Sequence, residues 1–162
     1  MTAVGPLLLL AALAPQSPGA DSLRLLATRL PESALIAETR ARPLATRETV
    51  GEALIRSVRT PAASPDELAL ARILASAYAL AWRDSFLARE VARFTAWPAA
   101  QRAAKVRADS VRRTGIAAFG RDGPTAAIAI WRRALFASSA LPDTAGTAAV
   151  RGNNGAGVRE EG

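Results

Sequence analysis

"VRRTGIAAFGRDGPTAAIAIWRRAL", residues 111–135, decides how this chain folds. It reads as two helical runs separated by a turn at "RDG", because Pro124 fits the first turn of a new helix and would break the interior of an old one. The first run starts after Pro98 and closes at Gly120, and the second opens at Pro124. Within the second, Trp131 stands in a run of alanine and isoleucine and is followed by Arg132 and Arg133. A tryptophan so placed is either a stacking surface for a ligand or a large packing residue. Its spacing to the small residues around it separates the two.

The same punctuation divides the rest of the chain. Ser22–Leu30 and Ser33–Arg42 read as brief helices, separated by Pro31 and ended by Pro43. Leu44–Arg59 is longer, with Val50, Leu54, Ile55 and Val58 on one amphipathic stripe. "SPDE", residues 64–67, has the pattern of a capping box, with Ser64 as N-cap, Pro65 at the first helical position and Glu67 at the third. The helix it opens carries Leu68, Leu70, Ile73, Leu74, Ala77, Tyr78 and Ala81, and apolarity over more than half its circumference predicts burial between neighbours. Phe86, Leu87, Val91 and Phe94 follow, on a continuation of that helix or on a separate one after a break near Asp84. "LPDTAG", residues 141–146, separates the run at Pro124 from a last helical segment. No stretch alternates as a strand would, so the pattern predicts an all-α chain of six to eight antiparallel helices with short connections.

Composition agrees. Half of the 162 residues are apolar and about a quarter are alanine, while aromatics make up only 5%. That balance favours helices packed closely through small side chains over a β-sandwich. The chain has no cysteine and no histidine, which excludes disulfides, Cys/His zinc sites, Cys-His catalysis and a Ser-His-Asp triad within it. The net charge of +7 is almost all arginine, Lys105 being the one lysine. Because the arginines run from Arg24 to Arg159 among interspersed Asp and Glu, the first reading is solvated helix faces rather than a polyanion site. The N-terminus holds a short apolar run, Pro6–Ala14, then small residues up to Ala20. It is too short to span a bilayer and has the length of an export-signal core, so residues 1–20 read as a signal peptide, cleaved after Gly19 or Ala20, and the mature chain as periplasmic or extracellular.

From Val111 onward the chain resembles a tetratricopeptide repeat (TPR), whose helix pair follows W-x2-L-G-x2-Y, then A-x3-F and a further small residue. Gly115 takes the glycine position, Ala127 the small position of the second helix, Trp131 the Phe position and Ala134 the small residue after it. Val111, Thr114 and Ala118 depart from the pattern. A second copy starts in "RGNNGAGVREEG", with Asn153 and Gly155 at the family's N-x-G. The spacing of Gly115 to Gly155 is 40 residues, as in a longer-repeat subclass, against about 34 for the usual repeat. The resemblance implies a right-handed α-solenoid in which Gly115 and Ala127 mark a close crossing, while Trp131 and Ala134 face the following repeat. With that repeat only begun, Trp131 is expected to be partly bare. Residues 21–63 are then short N-terminal helices, 64–109 a helical cap or divergent repeats, 110–149 one repeat and 150–162 the start of another, as if the chain were cut there.

The resemblance also places partner-facing positions on the first helix of each repeat, at Asp109, Arg112, Ile116 and Phe119 and, in the second copy, Arg159. It implies a protein-protein interaction scaffold that holds a peptide or a partner helix, with no catalysis and no cofactor or metal. More loosely the chain resembles the front part of longer exported bacterial TPR proteins, some of which end in a caspase-like CHAT protease domain. A regulatory region of such an enzyme is the alternative, and nucleic-acid binding through arginines a further one. Other candidates are weak. "GNNGAG", residues 152–157, lacks the strand before it and the Lys-Ser/Thr after it that a phosphate loop needs. The carboxylate pairs Asp66/Glu67 and Glu160/Glu161 have no partner at useful spacing. Lys105 and Ser110 are five residues apart on one helix and point to different faces.

Overall fold

The computed structural model describes residues 18–161. They form eight α-helices: α1 (Pro18–Ala27), α2 (Glu32–Ala41), α3 (Pro43–Arg59), α4 (Ser64–Trp82), α5 (Phe86–Ala96), α6 (Ala99–Asp122), α7 (Pro124–Ser139) and α8 (Thr144–Glu161), with a 3-10 turn at Pro61–Ala63. No strand occurs among the described residues. The all-helical expectation holds, and prolines sit at or next to most of the starts. Residues 1–17 of the expected signal peptide lie outside the described residues, and Pro18–Ala20 belong to α1.

Helix α4 is the hub, with α1, α2, α3 and α5 all packed on it. The core there joins Ala27, Leu35, Val50, Ala53, Leu74 and Val91 from five helices, and all its members are aliphatic. Burial of α4 follows its sequence only in part, since Ile73, Leu80 and Trp82 stay exposed. The break near Asp84 makes α5 a separate helix. Arg83 adopts a left-handed conformation (φ 53°) that ends α4, and the Asp84 carboxylate accepts the Phe86 N–H at 2.8 Å at the start of α5. Arg40 of α2 donates to the Ala81 carbonyl at 3.3 Å, a cation on the last turn of α4 where the helix dipole favours one.

The capping box at Ser64 is not formed. The 3-10 turn runs straight into α4, Ser64 is itself helical (φ −56°, ψ −44°), and its N–H is taken by the Pro61 carbonyl. No side chain caps the helix. Glu67, freed from that role, is buried and paired with Arg24 of α1.

Helix α6 links this hub to the C-terminal helices, packing on α3 and, more extensively, on α7. It passes Gly120 and ends at Gly123, whose φ of 85° suits a residue without a Cβ and reverses the chain into α7. The sequence pattern closes the helix two residues early because Gly120 has the composition of a stop, but within a helix packed along its length a glycine is tolerated. Helix α8 packs on α7, and "GNNGAG" is part of it and forms no loop.

Candidate functional site

Trp131 resolves first. It is 3% exposed and packs from α7 against α6 of its own hairpin: its ring stacks on Phe119 with centroids 5.7 Å apart, and its Nε1–H donates to the Arg112 carbonyl at 3.2 Å. A Cβ on Gly115 would overlap the indole. Gly115 is therefore a seat for the tryptophan, and Trp131 is not partly bare as the repeat pattern predicts, because packing within its own helix pair covers it. Ala127, Ile128, Trp131 and Ala134 join Val150 of α8 in one cluster, so the same stripe of α7 serves both neighbours. In α8, Asn153 and Gly155 are half-buried, and a Cβ on Gly155 would meet nothing within 4 Å. The two glycines, 40 residues apart in sequence, thus stand in different surroundings.

The partner-facing candidates divide. Asp109 and Arg112 line a cavity of about 190 Å³ between α3, α5 and α6, whose walls add Leu54, Ile55, Phe94 and Val106 to Lys105 and Arg113. Ile116 is 47% exposed. Phe119 has its ring against Trp131 and belongs to the packing of the hairpin. The Arg159 side chain lies outside the described residues.

Sequence reading did not find the polar knot beside this cavity. Lys105 pairs with Asp109 at 3.0 Å, one helical turn on, and with Asp143 at 2.7 Å, from the turn before α8. Asp143 is 2% exposed and caps α8, its other oxygen accepting the Gly146 N–H at 2.9 Å. Burial disfavours the Lys105 charge, but Asp109 and Asp143 together outweigh it and the ammonium's pKa is raised. Glu90 of α5 is raised as well, by burial first and then by Asp143, against the pull of Lys105 and Arg93. The only signal in the sequence was a unique lysine four residues before an aspartate. Its other partner is 38 positions away, beyond a helical hairpin, and nothing local announces it. The arrangement ties helices together: Lys105 bridges Asp109 of its own helix to Asp143, whose other oxygen caps α8. Ser110 is exposed, and Lys105 turns to the two aspartates.

Among the described residues no group of three or more acidic side chains is placed to hold a metal ion, and no helix is long and apolar enough to cross a membrane. Comparison with known proteins found no family model, curated protein or solved structure that matches the chain.

Proposed function

We propose that the chain is a protein-binding scaffold of the tetratricopeptide-repeat type, acting without chemistry of its own, in which α6 and α7 form one helix pair and α8 the first helix of the next. What supports the repeat reading is the Gly115–Trp131 seat inside an antiparallel hairpin and the packing of α8 on the same stripe of α7. The observation that carries the binding reading is the cavity beside α6. It combines the Asp109 carboxylate and the Arg112 and Arg113 guanidinium groups with an aliphatic and aromatic floor, the mixture that holds an extended peptide or a helix by a few charged contacts over an apolar strip.

A peptide library displayed on phage and selected against the intact protein tests this. Selected peptides are expected to lose at least tenfold in affinity for Arg112→Glu and for Arg113→Glu, both lining the cavity and making no side-chain ion pair among the described residues, with helical content unchanged. Peptides that bind both variants as tightly as the parent would remove the groove from consideration.

A further inference from the structure

We propose that the outward face of α7 is a second docking surface, distinct from the groove beside α3, and that it takes an acidic protein segment. "RRALF", residues 132–136, puts Arg132 and Arg133 four and three positions before Phe136, so the three side chains share one face of the helix. Both arginines are exposed and Phe136 is 82% exposed, the barest large apolar side chain among the described residues. The opposite stripe, with Ala127, Trp131, Ala134 and Ser138, is buried, which fixes this face outward. No carboxylate occurs anywhere on α7, and among the described residues no ion pair reaches Arg132 or Arg133.

Charge says what covers it. Residues 99–139 hold seven arginines and Lys105 against Asp109 and Asp122 alone, a net +6 of the chain's +7. The cations that looked dispersed along the sequence are therefore balanced everywhere except on the α6–α7 hairpin. The same pattern occurs on α6, where "RRTGI", residues 112–116, sets Arg112 and Arg113 before the half-exposed Ile116.

The bare Phe136 among the arginines favours a protein over a nucleic acid. A guanidinium fork matches phosphate and carboxylate alike, so the cations by themselves leave the partner open. Phe136 is the one aromatic ring on this face, too few to stack successive bases. An aromatic side chain flanked by arginines is instead the composition that protein interfaces enrich. The fitting partner presents two carboxylates about one helical turn apart, with an apolar side chain to cover Phe136.

Three fluorescent probes distinguish the outcomes by anisotropy at low and moderate salt: an amphipathic helical peptide of glutamate and leucine, poly-glutamate of equal charge, and a single-stranded oligonucleotide of equal charge. The amphipathic peptide is expected to bind about tenfold more tightly than poly-glutamate, since only it covers Phe136. The double reversal Arg132→Glu/Arg133→Glu should weaken it at least tenfold, and Phe136→Ser should lower its affinity to that of poly-glutamate. Arg112→Glu, which weakens the groove, should change it less than threefold, so the two surfaces fail independently. Arg132, Arg133 and Phe136 are exposed and Arg112 is half-buried, and unchanged helical circular dichroism checks each variant. Equal binding of both peptides, indifference to the reversal, or an oligonucleotide that binds more tightly than either with a steep loss in salt would overturn the proposal.

Discussion

The helices before Trp97 and those after it are held together in opposite ways. Helices α1–α5 surround α4 with many small aliphatic contacts contributed by five elements, and residues 18–98 carry nearly balanced charge, eleven cations against nine anions. Helices α6–α8 have a smaller cluster centred on one tryptophan, one ammonium tying α6 to the cap of α8, and ten cations against five anions. In the first region no single side chain is indispensable, because each contact is one of many; in the second a few residues carry most of the packing. The C-terminal region is thus the one that single substitutions undo, and it is also the one that presents free charge and bare apolar surface to a partner.

Trp131→Ala is the strongest way to break this contrast. Removing the indole leaves a void over Gly115 and strips Phe119 of its stacking partner, a loss of about 4 kcal/mol, within the range for large aromatic deletions. Leu35→Ala, in the dispersed core, should cost about 2–3 kcal/mol. Denaturant unfolding measures both, and a larger loss at Leu35 would invert the comparison.

Next comes the buried ion pair. Lys105→Met leaves the 2%-exposed Asp143 without its cation, at a cost of about 3 kcal/mol. Arg93→Ala removes a surface ion pair of α5 to Glu90 and should change stability by less than about 0.5 kcal/mol. Because the Lys105 pKa lies above its ordinary 10.5, this contribution is fully present below that pH and is lost as pH rises through the folded value. Equal effects of the two substitutions at neutral pH would mean that the pair ties nothing together.

A sign change sharpens the contrast further. At Gly115 an added methyl meets the rigid indole, so Gly115→Ala should cost about 2 kcal/mol through overpacking. At Gly155 the methyl meets open space inside a helix, so Gly155→Ala should stabilise by roughly 0.5–1 kcal/mol through propensity alone. Destabilisation at both positions would show that Gly155 is packed as closely as Gly115.

How far the sequence announced all this follows from the range of each signal. Helix number and most boundaries were legible because prolines act locally, and Arg83 with Asp84 broke the chain where its pattern faltered. Gly120 and Ser64 misled for the same reason: each has the composition of a helix end, but neighbouring structure overrode it, α7 by packing along α6 and the 3-10 turn by running into α4. Trp131 was legible as a packing residue from its spacing, while the surface it packs on was not. Arg24–Glu67 and Lys105–Asp143 join residues 43 and 38 positions apart, and only tertiary structure brings such partners together. The charge imbalance of residues 99–139 was available in the sequence throughout. It needed the helix limits to become a property of one hairpin.

The smallest effect tests how tightly the two regions communicate. Glu90 of α5 faces Asp143, Asp109 and Lys105 of the C-terminal knot as well as its own neighbour Arg93. Burial and the two aspartates hold its pKa above the usual 4.5 despite both cations. The folded chain therefore binds this proton more tightly than the unfolded one, so stability falls as pH rises from 4.5 through the folded value, and above it the charged carboxylate opposes folding by a constant amount. Glu90→Gln should raise Tm at neutral pH by about 1–2 °C. The gain should vanish below pH 4.5, where both states already carry the proton. A gain that persists into acid would trace to the amide itself, and a loss at neutral pH would mean that Arg93 and Lys105 outweigh Asp143, leaving α5 attracted to the knot it now only borders.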